Sequence, residues 1–385
     1  MNAPKVKGHV APEFEAVADR LAVIAAADEG FGGQLAITHR GELVVDLQVS
    51  DHVHADSLYP VFSATKGAAA MVIAQLVDKG MLDVDTAVVH YWPEFGAEGK
   101  ADVLVRELLS HQAGLVSAPG LTAAEIVASV PAAERLARAR PWWRPGAAVG
   151  YHGLTIGVFM EELVRRITGA SLQHIYEESV RSPRQIDVHL GLSDQLRARH
   201  VKARYPAVPA PPADVEPPLG DDLAAWAFMS IHRPFLLNEG ELDPFSPAVR
   251  NSGFAAGGAA ASARGLAKLY AAAVGEGAEP LIQPETLTRM TQLQVLGQDL
   301  VTGTVSAFGV VFGRPHLGYP FGSHRAFGHD GAGGVVAFAD PLYQLSFGFI
   351  PDPMTLTPDR SLQLSATARR CALDRDVAGI SSPPL

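Results

Sequence analysis

Strand-like segments sit at both ends of this chain, and the long middle carries almost none. Residues 34–38 and 43–48 are short apolar runs flanking His39-Arg40-Gly41-Glu42, which reads as a hairpin turn. Residues 305–312, 334–339 and 344–350 are β-branched or aromatic runs broken by Gly, Pro and Asp. Between the two groups, residues 76–240 read as helices and loops. Strands gathered at opposite ends can bury their faces by pairing in one antiparallel sheet. The middle then becomes an inserted, mostly helical domain, giving an α+β architecture. The expected division is 1–75 plus 246–385 for the α/β part and 76–245 for the insertion. Terminal helices cover the sheet in this reading. One spans 12–28, with Phe14, Val17, Leu21 and Ile24 at helical spacing and Gly30, Gly32 and Gly33 ending it; the other spans 358–373.

Further helices are expected over 63–79, 122–138, 154–168 and the alanine-rich 258–275, with helix plus turn over 105–115. Residues 204–218 contain six prolines and read as an extended loop. The chain has 385 residues, 48% of them apolar and 19% charged, enough to fill a sizeable core. A net charge of −10 disfavours a nucleic-acid backbone as partner. The single cysteine, Cys371, allows neither an internal disulfide nor a cysteine zinc cluster. No apolar run follows Lys5 and Lys7, and no window reaches the length of a membrane span, so the expected location is cytoplasmic.

Three segments carry chemistry. Ser63-Ala64-Thr65-Lys66 opens a helix, and its three-residue offset puts Ser63 and Lys66 on one face. A helix N-terminus adds positive potential and free N–H groups beside the hydroxyl. A serine needs a base to become a nucleophile. Lys66, followed by Gly67-Ala68-Ala69-Ala70, has small, uncharged neighbours, and burial would make it neutral enough to act as that base. Tyr151, between a loop and the helix from Leu154, is placed to point into a cleft and relay protons. Gly328-His329-Asp330-Gly331-Ala332-Gly333-Gly334 has four glycines in seven residues, so its backbone can approach another group and aim an N–H at a developing oxyanion. Singly, each also reads as ordinary structure: a capping serine with a surface lysine, a packing tyrosine, a turn between strands.

Together the three segments resemble the serine β-lactamase superfamily, in the branch of class C β-lactamases, DD-peptidases and family VIII carboxylesterases. Ser63-Ala64-Thr65-Lys66, preceded by Tyr59-Pro60-Val61-Phe62, matches the first motif; Tyr151-His152-Gly153 stands for Tyr-x-Asn; His329-Asp330-Gly331 stands for Lys-Thr-Gly, often His-x-Gly in the esterases. The stretch Leu108–Leu115 (LLSHQAGL) is similar to one common there. The resemblance spans roughly residues 12–350. It implies an acyl-enzyme on Ser63 assisted by Lys66 and Tyr151, which titrate as a coupled pair so that either could be the base. It also implies an oxyanion hole from the N–H groups of Ser63 and Ala332, and no metal or cofactor. His329, Asp330, Gly331, His152 and Trp143 are the expected substrate contacts.

Two departures bear on substrate. Gly153 replaces the asparagine whose amide would bind a substrate amide. His329-Asp330 replaces Lys-Thr, a poorer carboxylate site. Both favour an uncharged small-molecule ester over a lactam or a peptide terminus. The remaining alternatives are a β-lactamase, DD-peptidase or amide hydrolase, an acyltransferase, and a non-catalytic penicillin-binding-like sensor. The α/β-hydrolase elbow G-x-S-x-G is absent. His52 and His54 read as an exposed loop before a metal pair. Trp142-Trp143 and Tyr91-Trp92 read either as core or as lining of an apolar acyl pocket.

Overall fold

The computed structural model describes residues 6–28, 30–50, 52–204, 222–228, 247–355 and 357–380. Of the proline-rich stretch 204–218, all but Arg204 lies outside the described residues. Six strands form the main sheet: β1 (Val6–Val10), β2 (Gly32–His39), β3 (Glu42–Val49), β4 (Phe327–Gly331), β5 (Val335–Asp340) and β6 (Leu345–Asp352). Their order is β1-β3-β2-β6-β5-β4, with every neighbour antiparallel. The two chain ends join where β2 meets β6, with Leu35 opposite Phe349 and Ile37 opposite Phe347.

Side chains alternate across this sheet with the period-two rule. Leu35, Ile37, Val45, Phe338, Phe347 and Phe349 face the terminal helices α1 (Glu15–Ala27) and α2 (Asp359–Ile380). There they pack with Val17, Leu21, Leu364 and Ala368. Each large side chain buried this way contributes about 1.5–3 kcal/mol. The opposite face presents small residues, Ala36, Ala337 and Ala339, toward a helix placed before the final strands, Ala263–Val274. A Cβ on Gly348 would stand 2.3 Å from the Ala263 carbonyl oxygen, so that helix lies almost on the sheet backbone. One face thus supplies bulk and the other close approach.

The helix Thr65–Asp78 runs through the middle of the molecule. Its residues from Thr65 to Ala74 are all buried, and Gly80, at φ 65°, turns the chain out of it. The sequence reading holds for α1, for the hairpin and for Thr155–Thr168.

The structure differs in several places. The alanine-rich stretch does not begin as helix: Ala259–Ala261 is a strand between Tyr59–Pro60 and Val188–Leu190, and the helix starts only after Ser262 caps the Gly265 N–H. Small side chains suit that crowded slot, so packing overrides helix propensity. The expected helix 122–138 breaks at Ser129, φ 63°. Val6–Val10 and Val295–Gln298 are strands that periodicity did not reveal. His329-Asp330-Gly331 lies on a late strand, as the resemblance implies, and that strand, Phe327–Gly331, precedes and pairs with Val335–Asp340. Among the described residues no helix is long and apolar enough to cross a membrane.

Candidate active site

Ser63 sits where the chain leaves the short strand Tyr59–Pro60 and enters the buried helix. Phe62, just before it, takes φ 46°, a conformation that costs a bulky residue energy and is held only by its surroundings. That turn places the serine at the helix entrance, in the 3₁₀ segment Phe62–Ala64. Lys66, one turn on, is fully buried. Its Nζ donates to Ser63 Oγ at 2.9 Å and to the Ala256 carbonyl at 2.7 Å. Burial pulls the lysine pKa down to about 7, with the Asp330 carboxylate opposing the shift.

The loop carrying Ala256 is pinned on two sides. The Ala259 N–H donates to Thr65 Oγ1 at 3.0 Å, and a Cβ on Gly157 would stand 2.5 Å from the Ala256 nitrogen. The carbonyl that receives Lys66 is therefore fixed by the helix that carries Lys66 and by the helix that follows Tyr151.

Tyr151 is half-buried, and its ring lies 5.1 Å beneath Lys66 Nζ. Its hydroxyl lies beside Ser63, and burial raises its pKa, so the phenol keeps its proton. Its ring contacts His111 at 4.8 Å and Phe308 at 6.1 Å between centroids. Its backbone N–H donates to Asp299 Oδ1 at 3.1 Å, and the same oxygen accepts the Val301 and Thr302 N–H groups. The hairpin formed by Val295–Gln298 and Val305–Phe308 thereby holds the tyrosine segment.

The third segment lies on the edge strand of the main sheet, Phe327–Gly331. Gly331 packs so tightly on the turn before Ser63 that a Cβ would stand 2.2 Å from the Val61 carbonyl oxygen. Ala332 follows directly, at the exit of the strand. Asp330 is exposed.

Not every expected contact faces the cleft. His152 is wholly buried: its Nε2 accepts the Leu115 N–H at 2.9 Å, its backbone N–H donates to His111 Nδ1 at 3.0 Å, and burial drops its pKa to about 3. This neutral ring ties the Leu108–Leu115 stretch to the Tyr151 loop and has no surface left for substrate. His329 is also buried. Its Nδ1 donates to the Asp330 carbonyl at 2.7 Å, its ring lies 6.3 Å from that of Tyr151, and its pKa falls to about 4, chiefly through burial. It stands beneath the site rather than at its edge. Trp143 is half-buried, donates from Nε1 to the Gln112 carbonyl at 3.1 Å and lies against Gly150.

Asp299, Ala256 and Phe228 were not read from the sequence. None belongs to a recognisable motif, and only folding brings them to Tyr151 and Lys66. Around Tyr151 an apolar cluster joins Val116, Ala227 and Val301 with Trp142, Trp143, Trp226 and Phe228.

Comparison with known proteins agrees with this geometry. The Beta-lactamase family model matches residues 20–361. A curated relative, the esterase/beta-lactamase LipL of Mycobacterium tuberculosis, is 32% identical, with the match covering 90% of this chain and 82% of the relative. The structure of EstA from Arthrobacter nitroguajacolicus superposes with a TM-score of 0.87 at 41% identity, covering 97% of this chain and 99% of that one. A family VIII carboxylesterase superposes at 0.83 with 29% identity, covering 95% of this chain and all of the other (100%). With the serine, lysine and tyrosine converging as described and the family match spanning most of its length, the chain belongs to the β-lactamase family.

Proposed function

We propose that this protein is a serine hydrolase that cleaves small carboxylic esters through an acyl-enzyme on Ser63. The observation that carries the reading is the 2.9 Å hydrogen bond between Ser63 Oγ and a fully buried Lys66 whose pKa lies at about 7. A base with that pKa is half neutral near neutral pH, where general-base catalysis is most effective.

Neutral Lys66 takes the Ser63 proton as Oγ attacks the ester carbonyl. The oxyanion is received by the N–H groups of Ser63 and Ala332. The proton on Lys66 passes through the Tyr151 phenol to the leaving alkoxide, and the alcohol departs. Water then attacks the acyl-serine, giving its proton back along the same path, and Ser63 is regenerated as the acid leaves. Tyr151 acts as a relay rather than as the base, because burial opposes its ionisation. Asp330, Gly331 and Trp143 border the substrate in this reading.

The apolar cluster around Tyr151 supports an uncharged substrate, and the names of LipL, an esterase/beta-lactamase, and of the family VIII carboxylesterase support an ester. The division into 1–75 with 246–385 and 76–245 places Ser63 near the junction of the two parts; the pairing of β2 with β6 supports it. A cytoplasmic setting remains part of the proposal. LipL's double name favours one second reading, β-lactam hydrolysis.

The test compares wild type and Ser63→Ala on a p-nitrophenyl ester and a chromogenic cephalosporin. Ester turnover that falls by about 10³-fold or more in the variant supports the reading. Undiminished ester turnover in Ser63→Ala sinks it, and cephalosporin turnover above ester turnover promotes the second.

A further inference from the structure

Gly153 occupies the third position of the second motif, yet its backbone does not demand glycine: it is not in the left-handed region. What demands it is a neighbour. A Cβ on Gly153 would stand 2.5 Å from Phe228 Cε1, 3.1 Å from Cδ1 and 3.2 Å from Cζ. One edge of the Phe228 ring therefore fills the volume into which a side chain at 153 would grow.

The ring is held from several directions. Its own N–H bonds to the Ala224 carbonyl at 3.0 Å, at the end of a helical turn, Leu223–Ala227, capped by Asp222 through the Ala225 N–H. Its face lies 6.2 Å from the Tyr151 ring. Trp142 and Trp226, 5.5 Å apart, complete the same apolar cluster with Val116 and Val301. These contacts hold the half-buried ring beside Gly153.

We infer that Phe228 is a specificity-determining residue that walls the acyl side of the site. This rests on the reading of Ser63 as an ester nucleophile. A hydrocarbon ring at this position offers no partner to a polar acyl group, which would be desolvated without compensation. It gives an alkyl chain an apolar surface, and by filling the space above Gly153 it also limits how long that chain can be. Gly153 and Phe228 then form one unit: the glycine exists to admit the ring, and the ring sets acyl selectivity.

The experiment measures kcat/KM on p-nitrophenyl acetate, butyrate and octanoate for wild type, Phe228→Ala, Phe228→Leu, Gly153→Asn and the double variant Gly153→Asn/Phe228→Ala. Thermal midpoints and fluorophosphonate labelling of Ser63 are recorded for each. The octanoate-to-acetate ratio is expected to rise roughly tenfold in Phe228→Ala, the scale of a few methylenes in an apolar pocket, and less in Phe228→Leu. Gly153→Asn is expected to lower the midpoint, and the double variant to recover it. An unchanged or falling ratio in both Phe228 variants overturns the inference, as does a Gly153→Asn protein of unaltered midpoint. Those results with Ser63 still labelled leave the esterase reading standing. Failure of wild type to label removes the ester reading and this inference together.

Discussion

Gly331 lies against Val61 so closely that a single added carbon would stand 2.2 Å from the Val61 carbonyl oxygen. The strand bearing the third motif is in this way clamped to the turn that presents Ser63. In the proposed mechanism the clamp sets the distance between Ser63 Oγ and the Ala332 N–H. Replacing Gly331 by alanine is expected to push the strand away. Steady-state kinetics should show kcat/KM on a p-nitrophenyl ester lower by roughly 10²-fold, the usual cost of misplacing reacting groups by an ångström. Wild-type activity in Gly331→Ala would contradict the clamp.

Lys66 supplies a pH profile. Its pKa is lowered to about 7 by burial, and in the proposed mechanism the neutral form is the base, so kcat/KM should climb as pH rises through about 7 and then level off. Lys66→Ala should lose most activity, and the residue left should lack that ascending limb. A limb centred well above pH 9 in wild type would remove Lys66 from the role.

Tyr151→Phe separates relay from base. Burial keeps the phenol protonated, so removing the hydroxyl takes away a proton path without removing the base. The expected loss in kcat is about 10²–10⁴-fold, with the ascending limb still near pH 7. Disappearance of that limb in Tyr151→Phe would reverse the two assignments.

His152 and His329 predict acid sensitivity. Their folded pKa values lie at about 3 and about 4, below the ordinary histidine value of 6.5. Between those limits the unfolded chain binds protons that the folded chain refuses, so stability is full above pH 6.5 and falls as pH drops toward 4. Thermal midpoints measured from pH 7.5 to 4 should decline along that course. His152→Gln keeps an acceptor for the Leu115 N–H but cannot titrate, and its decline should be shallower. An equal slope would show that His152 is not excluded from protonation.

Asp299 tests how far the hairpin governs the site. Its one carboxylate oxygen gathers the N–H groups of Tyr151, Val301 and Thr302. Asp299→Ala should deprive these N–H groups of their acceptor, at a cost of about 1–3 kcal/mol for the buried Val301 N–H, seen as a lowered denaturation midpoint together with a reduced kcat. Loss of neither would make the contact incidental.

The sequence by itself determined the α+β class, the helix and hairpin near its start and the triplet of motifs, because each is written in local spacing: side-chain periods of two and 3.6, turn residues, and a serine one helical turn from a lysine. It did not determine what that lysine touches. Full burial, the Ala256 carbonyl, the support of Tyr151 by Asp299 and the filling of Gly153's volume by Phe228 come from elements far apart in the chain. The same holds where local preference lost: alanines 259–261 became a strand because small side chains fit between Tyr59 and Val188, and His152 was drawn inward by the Leu115 N–H. Periodicity records which face of a segment turns inward. Only packing decides what it meets there, and so which hydroxyl is activated and how much space its substrate is given.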